Sequence, residues 1–268
     1  TYKKPPLIIA EISGNHNGNK SRFLKLIEEA CKSGADLIKI QTYEPYDITL
    51  KTKDPHFKIK YGVWKGKYLH SLYKKACTPY EWHKLAFKIA KKHKKIIFSS
   101  PFSIKAVDFL EKLNVPIYKI ASFEITDYNL INYINSKKKP IIISTGMATL
   151  KEIKNAIHII EKHHKKIIIL HCVSDYPTKI EDANLDRINF LKHKFKKYKI
   201  GLSDHTNDIF TSIASIPLGI CAIEKHFNID KVKTPDSSFS INQDKLNNLK
   251  QISQKIFLSL NKKKINNN

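Results

Sequence analysis

Short β-branched runs alternate along the chain with longer stretches whose apolar positions recur at helical spacing, and the alternation repeats eight times. The predicted strands are Leu7–Ile12, Leu37–Gln41, Ile96–Ser99, Ile117–Ile120, Ile141–Ser144, Ile167–His171, Lys199–Leu202 and Cys221–Glu224. Helical patterns lie between them, among them Arg22–Lys32, Pro79–Lys92, Ile104–Leu113, Leu150–Lys162 and Asp208–Leu218. Ser103 and Thr149 stand where N-caps belong, Gly34 where a helix should stop, and Asn242 where a last helix should begin, running to about Leu258. Eight strands each followed by a helix predict an α/β fold closed as a (β/α)8 TIM barrel; an open doubly wound sheet has much the same local pattern and is the alternative.

The rhythm breaks once. Residues 43–77 are rich in Lys, Tyr and Trp and separate strand two from its helix, so they are expected to fold over the barrel mouth as a lid. The expected organisation is one barrel over residues 1–260, carrying that insertion, and a polar tail over 261–268. A length of 268 residues suits one such barrel.

Charge changes this picture little. The formal net charge of +24 suggests a polyanion partner, but of the 48 cations only Arg22 and Arg187 are arginines. The other 46 are lysines, which lack the bidentate fork suited to base and phosphate recognition. Runs such as Lys91-Lys92-His93-Lys94-Lys95 and Lys137-Lys138-Lys139 fall at expected helix ends, where cations complement the helix dipole, so no nucleic-acid partner is expected. The four cysteines are scattered without a Cys-x-x-Cys pair and are read as reduced thiols. No apolar run has the length of a membrane span and no signal peptide is recognised, so the expectation is a cytoplasmic protein without a membrane partner.

Unusual polar residues collect at the C-terminal ends of the predicted strands, the active face of such barrels. Lys39 and Lys119 lie within strands among apolar neighbours, where a cation needs an anion to offset desolvation, and phosphate is a natural candidate. Ser100, Ser122 and Ser203 add neutral donors there, although serines also simply end strands. His205 and His226 follow adjacent strands and can converge on one divalent ion, with His16 ranked third. Glu11, Glu124 and Asp236 can move protons or orient hydroxyls, or they can pair with the lysines.

The segments Ala10-Glu11-Ile12-Ser13-Gly14-Asn15-His16-Asn17-Gly18, Ile38-Lys39-Ile40-Gln41-Thr42, Tyr118 to Glu124, Ser144-Thr145-Gly146-Met147, Gly201 to Thr206 and Ile223 to Phe227 together resemble the sialic acid synthase family along nearly the whole chain. Cys77 to His83 and Pro235 to Ser240 are more similar to its pseudaminic acid branch than to its N-acetylneuraminate branch. The resemblance implies a transferase that condenses phosphoenolpyruvate with 2,4-diacetamido-2,4,6-trideoxy-β-L-altropyranose. It implies phosphoenolpyruvate contacts from Lys39, Ser100, Lys119, Ser122, Ser174 and Ser203, with Ser174 standing where neuraminate-type members carry asparagine. It also implies Glu11 as acid/base, Gln41, Glu124, Tyr176 and Asp236 around the sugar, and His205 and His226 as ligands of a divalent metal, Mn2+ before Mg2+ or Co2+. A homodimer is implied, and the C-terminal antifreeze-like domain usual in the family is not among these 268 residues, whether trimmed or lost. The alternatives are a synthase of N-acetylneuraminate or another nonulosonic acid, and a non-catalytic barrel that binds a sugar or polyanion.

Overall fold

The computed structural model describes residues 4–260, so the expected polar tail at 261–268 lies outside the described residues. Eight parallel strands close on themselves in sequence order: β1 (Leu7–Glu11), β2 (Leu37–Thr42), β3 (Ile96–Pro101), β4 (Tyr118–Ile120), β5 (Ile141–Ser144), β6 (Ile167–Cys172), β7 (Lys199–Asp204) and β8 (Ala222–His226). Closure is made by β1 against β8, with Glu11 opposite His226. The barrel is therefore present and the open sheet is not.

The helices that follow are α1 (Lys20–Lys32), α2 (Pro45–Ile48), α3 (Leu69–Ala76), α4 (Tyr80–Lys92), α5 (Ile104–Lys112), α6 (Tyr128–Ser136), α7 (Leu150–Glu161), α8 (Asp186–Lys194), α9 (Phe210–Ser215) and α10 (Gln243–Leu260). Their starts are written in the sequence. Ser103 accepts from the Ala106 N–H, Thr149 and Glu152 form a reciprocal capping box, and Asn242 accepts from the Lys245 N–H. Gly34, just past α1, sits at φ +91°, a conformation in which a Cβ is strained. The stretch predicted as one helix over 208–218 is shorter, being α9 followed by a 3-10 turn that carries Pro217.

Isoleucine dominates the barrel wall: Ile8, Ile9, Ile38, Ile40, Ile97, Ile143, Ile169 and Ile223 are all buried. β-Branched side chains suit a strand covered on both faces, and each contributes roughly 1.5–3 kcal/mol through burial. The four cysteines are free, and no helix among the described residues is long and apolar enough to cross a membrane.

Candidate active site

Strand alternation sorts the polar residues of the mouth. On β8, Glu224 and His226 share one face while Lys225 takes the other. On the inner face Glu224 becomes the hub. Its Oε1 accepts from Lys39 Nζ at 2.9 Å and from Ser203 Oγ at 2.9 Å, and lies 3.7 Å from Lys119 Nζ. Lys39 also reaches Glu11 Oε2 at 3.2 Å, and Lys119 donates to Ser144 Oγ at 2.7 Å. Glu11 in turn accepts from Gln41 Nε2 at 3.0 Å. Four charged groups from β1, β2, β4 and β8 are thus buried together, and they balance: two lysines, two carboxylates.

Burial and proximity displace all four from their ordinary titration. Burial, reinforced by the neighbouring Glu224, raises Glu11 to about 7 against the pull of Lys39. Burial also raises Glu224, but Lys119 and Lys39 outweigh it and hold the carboxyl well below its usual range. Lys39 is held charged because Glu11 and Glu224 overcome its desolvation, whereas burial brings Lys119 down to about 8.

Beside the quartet is a cradle of neutral groups. Ser122 Oγ accepts from the Gly146 N–H at 3.2 Å, and a Cβ at Gly146 would come within 2.2 Å of Ser174 Oγ and 2.9 Å of Ser122 Oγ. Only glycine lets the backbone approach the two hydroxyls so closely. Ser100 Oγ, Ser174 Oγ and Glu224 Oε2 are buried without a hydrogen-bond partner. Unpaired buried polar atoms are costly, and the two serine hydroxyls are left free to donate to a ligand's acceptor atoms.

The histidines expected to hold a metal come together, with ring centroids 5.3 Å apart. His205 Nδ1 lies 2.8 Å from Val173 O, and a carbonyl can only accept, so Nδ1 carries a proton and Nε2 is the nitrogen left to ligate once the ring is neutral; burial lowers His205, but Cys172 and the Val173 carbonyl outweigh it and raise it. His226 Nδ1 is buried without a hydrogen-bond partner, its nearest carboxylate oxygen being Asp236 Oδ2 at 3.8 Å. Burial lowers His226 and so favours the neutral form that ligates. Among the described residues no group of three or more His, Cys, Asp or Glu side chains is arranged to ligate an ion. Two imidazoles beside a carboxylate nevertheless suit a divalent cation that leaves positions open to water and a substrate oxygen.

Aromatic rings wall the other side. Tyr176 packs on His205 at 4.3 Å and Phe239 on His226 at 4.8 Å. The insertion reaches this wall through a hairpin bridged at Lys58 and Tyr68, from which Trp64 packs on Tyr176 and donates its indole N–H to Pro235 O at 2.7 Å. Asp236 accepts from the Gly14 N–H at 2.9 Å, and burial raises its carboxyl. Glu124, raised by burial to about 7, keeps one oxygen unpaired.

The profile of the NeuB family matches residues 26–265. The chain belongs to the NeuB family. It is 44% identical over 243 residues to the pseudaminic acid synthase of Campylobacter jejuni, covering 90% of this chain and 71% of that protein. It is 46% identical over 240 residues to the pseudaminic acid synthase of Helicobacter pylori, covering 89% and 70%. The crystal structure of an N-acetylneuraminic acid synthetase from Leptospira borgpetersenii, in complex with citrate, superposes with TM-score 0.88 at 30% identity, covering 98% of this chain and 87% of that one.

Two residues of this NeuB-family barrel differ from their sequence reading. His16, ranked third for the metal, points away from the histidine pair: Nδ1 accepts from the Gly18 N–H at 3.0 Å, which leaves Nε2 to donate to Ala76 O at 3.0 Å. Nδ1 thus braces the β1 loop internally and Nε2 fastens it to the end of α3, as Asn15 fastens it to Phe227 O and Ser240. Glu224 is the converse, a residue without a role in the sequence reading that proves to be the hub of the charge cluster. Its signal is the Glu224-Lys225-His226 triplet, in which period-two alternation sends the first and third residues to one face.

Proposed function

We propose that this chain condenses phosphoenolpyruvate with the open-chain aldehyde of 2,4-diacetamido-2,4,6-trideoxy-β-L-altropyranose, giving pseudaminic acid and phosphate. The reading is carried by one observation, the buried Lys39–Glu224–Lys119 cluster beside unpaired serine hydroxyls and a pair of facing histidines, in a chain 44–46% identical to pseudaminic acid synthases.

Lys39 and Lys119, with Ser100, Ser122, Ser174, Ser203 and the Gly146 N–H, bind the phosphate and carboxylate of phosphoenolpyruvate. Gln41, Glu124, Tyr176 and Asp236 receive the sugar. His205 and His226 hold a divalent cation, Mn2+ being the first choice, whose chemistry is Lewis-acid polarisation of the aldehyde oxygen. The enol carbon C3 attacks the aldehyde carbon, which makes the new C–C bond and leaves positive charge at C2. Water adds to C2 and yields a proton to Glu11, while the former aldehyde oxygen takes up a proton. The bond from C2 to the bridging oxygen then breaks, the new hydroxyl becomes the ketone, and its proton leaves with phosphate. Glu11, titrating at about 7, changes protonation state with little cost near neutrality. Holding both substrates in one walled mouth supplies the remaining advantage, orientation.

A second reading, a synthase of another nonulosonic acid, draws on 38% identity to an N,N'-diacetyllegionaminic acid synthase of Campylobacter jejuni. A substrate panel separates the two. Phosphate release with the altrose-configured diacetamido sugar, and little with N-acetylmannosamine or the diastereomeric diacetamido sugar, supports the first reading; the reverse preference overturns it.

A further inference from the structure

Behind the histidine pair, on the outer face of the barrel wall, is a second buried charge cluster, whose partners are all groups of this chain. Asp204 and Lys225 are register partners on β7 and β8, each immediately before a histidine of the pair. Both are buried, Lys225 at 0% and Asp204 at 2% exposure. Lys225 Nζ lies 3.1 Å from Asp204 Oδ2, and donates to Thr206 O at 2.5 Å and to Thr206 Oγ1 at 3.2 Å. Asp204 Oδ1 accepts from the Thr206 N–H and hydroxyl, both at 2.8 Å, and Oδ2 accepts from Ser212 Oγ of α9 at 2.5 Å.

These contacts enclose His205. The residue before it and the residue after it are both tied to Lys225, the residue before His226. Strand alternation puts Asp204 and Lys225 outward where their neighbours turn inward, so the outer ion pair fixes the positions from which the two imidazoles project. A bare apolar contact at this place would leave the backbone of the turn at 204–206 without these anchors. Burying two charges is costly unless geometry and additional hydrogen bonds compensate, and here the lysine and the aspartate each have such bonds.

We infer that Asp204 and Lys225 are positioning residues, a strut across the outside of β7 and β8 that sets the spacing of His205 and His226 for a divalent cation. The inference rests on the proposed reading of that pair as a cation site, and its test is direct binding, independent of which sugar is used. Mn2+ affinity is measured by calorimetry, and by the paramagnetic resonance signal of free Mn2+, on the wild-type chain, on Asp204→Asn, and on the double variant Asp204→Leu/Lys225→Met. The double variant removes both charges at once and so avoids stranding one of them in the wall. Circular dichroism and thermal melting verify that each protein is folded.

The expected result is a Mn2+ dissociation constant raised about tenfold or more in the folded variants, the range typical of lost support behind metal ligands. The KM for phosphoenolpyruvate at saturating Mn2+ should stay within about twofold of wild type, and kcat should recover as Mn2+ is raised. Wild-type Mn2+ affinity in a folded double variant overturns the strut and leaves the cation site standing. Absence of Mn2+ binding in the wild-type chain overturns both. Equal losses in Mn2+ affinity and in phosphoenolpyruvate KM would mean general loosening of the mouth, and would also overturn it.

Discussion

Glu224 Oε1 lies 2.9 Å from Lys39 Nζ and 3.7 Å from Lys119 Nζ, so one buried carboxylate serves two buried lysines drawn from different strands. Neutralising it as Glu224→Gln leaves Glu11 alone to balance both cations. Breaking a buried pair costs about 3–5 kcal/mol, and an added anion can replace the lost charge. The expected outcome is a lowered Tm for Glu224→Gln that millimolar phosphate raises by more than it raises wild type. An equal phosphate effect in the two proteins would separate Glu224 from the anion site.

Gly146 brings its N–H to Ser122 Oγ because it has no Cβ to strike Ser174 Oγ. Gly146→Ala forces both hydroxyls to move. Its KM for phosphoenolpyruvate should rise about tenfold, equivalent to ~1.4 kcal/mol, with the sugar KM little changed. Steady-state kinetics at saturating Mn2+ reads this, and an unchanged phosphoenolpyruvate KM would move the cradle elsewhere.

Two histidines outside the mouth should contribute part of the acid sensitivity. Burial lowers both His16 and His83 from 6.5 to about 4. Each is neutral in the fold but takes up a proton in the unfolded chain below pH 6.5, so their stabilisation is complete above that pH and falls progressively as pH drops towards 4. At 1.36 kcal/mol per unit, each contributes on the order of 3 kcal/mol to the loss. Urea unfolding followed from neutral to acid pH should show this slope, and His83→Gln should flatten it. A slope identical in wild type and variant would place the acid sensitivity in other groups.

Trp64 joins the insertion to the β8 loop through its indole N–H on Pro235 O and its packing on Tyr176. Trp64→Phe keeps a ring and loses the hydrogen bond, while Trp64→Ala loses both. Sugar KM should rise modestly in the first and more in the second, with phosphoenolpyruvate affinity preserved, and proteolysis within the Lys58–Tyr68 hairpin should quicken in the same order. Equal sugar KM in all three proteins would show that the hairpin takes no part in sugar binding.

Hydrophobic rhythm places every barrel strand to within about two residues, because parallel strands covered on both faces read as apolar runs. The largest differences share a cause. The predicted β3, β7 and β8 stop at Ser99, Leu202 and Glu224, yet the strands continue through Pro101, Asp204 and His226, since the ladder extends past the apolar layer into the polar mouth. α2, a single turn, and α3, only eight residues long, are too short for helical spacing to stand out within the Lys- and Tyr-rich insertion. Of the site, the residues at strand ends are legible by position, and their roles come from resemblance. His16 departs from expectation because a loop histidine near the mouth gives no sequence sign of its Gly18 and Ala76 bonds.

The central claim is condensation with cleavage between C2 and the bridging oxygen. Its most direct test supplies Mn2+, the altrose-configured diacetamido sugar and phosphoenolpyruvate carrying heavy oxygen at the bridging position, and follows the products by mass spectrometry. Phosphate release is expected only when both substrates are present, with the heavy oxygen in phosphate and with product lost in His205→Ala and His226→Ala. Heavy oxygen retained in the sugar acid, or equal turnover in wild type and both histidine variants, would contradict it.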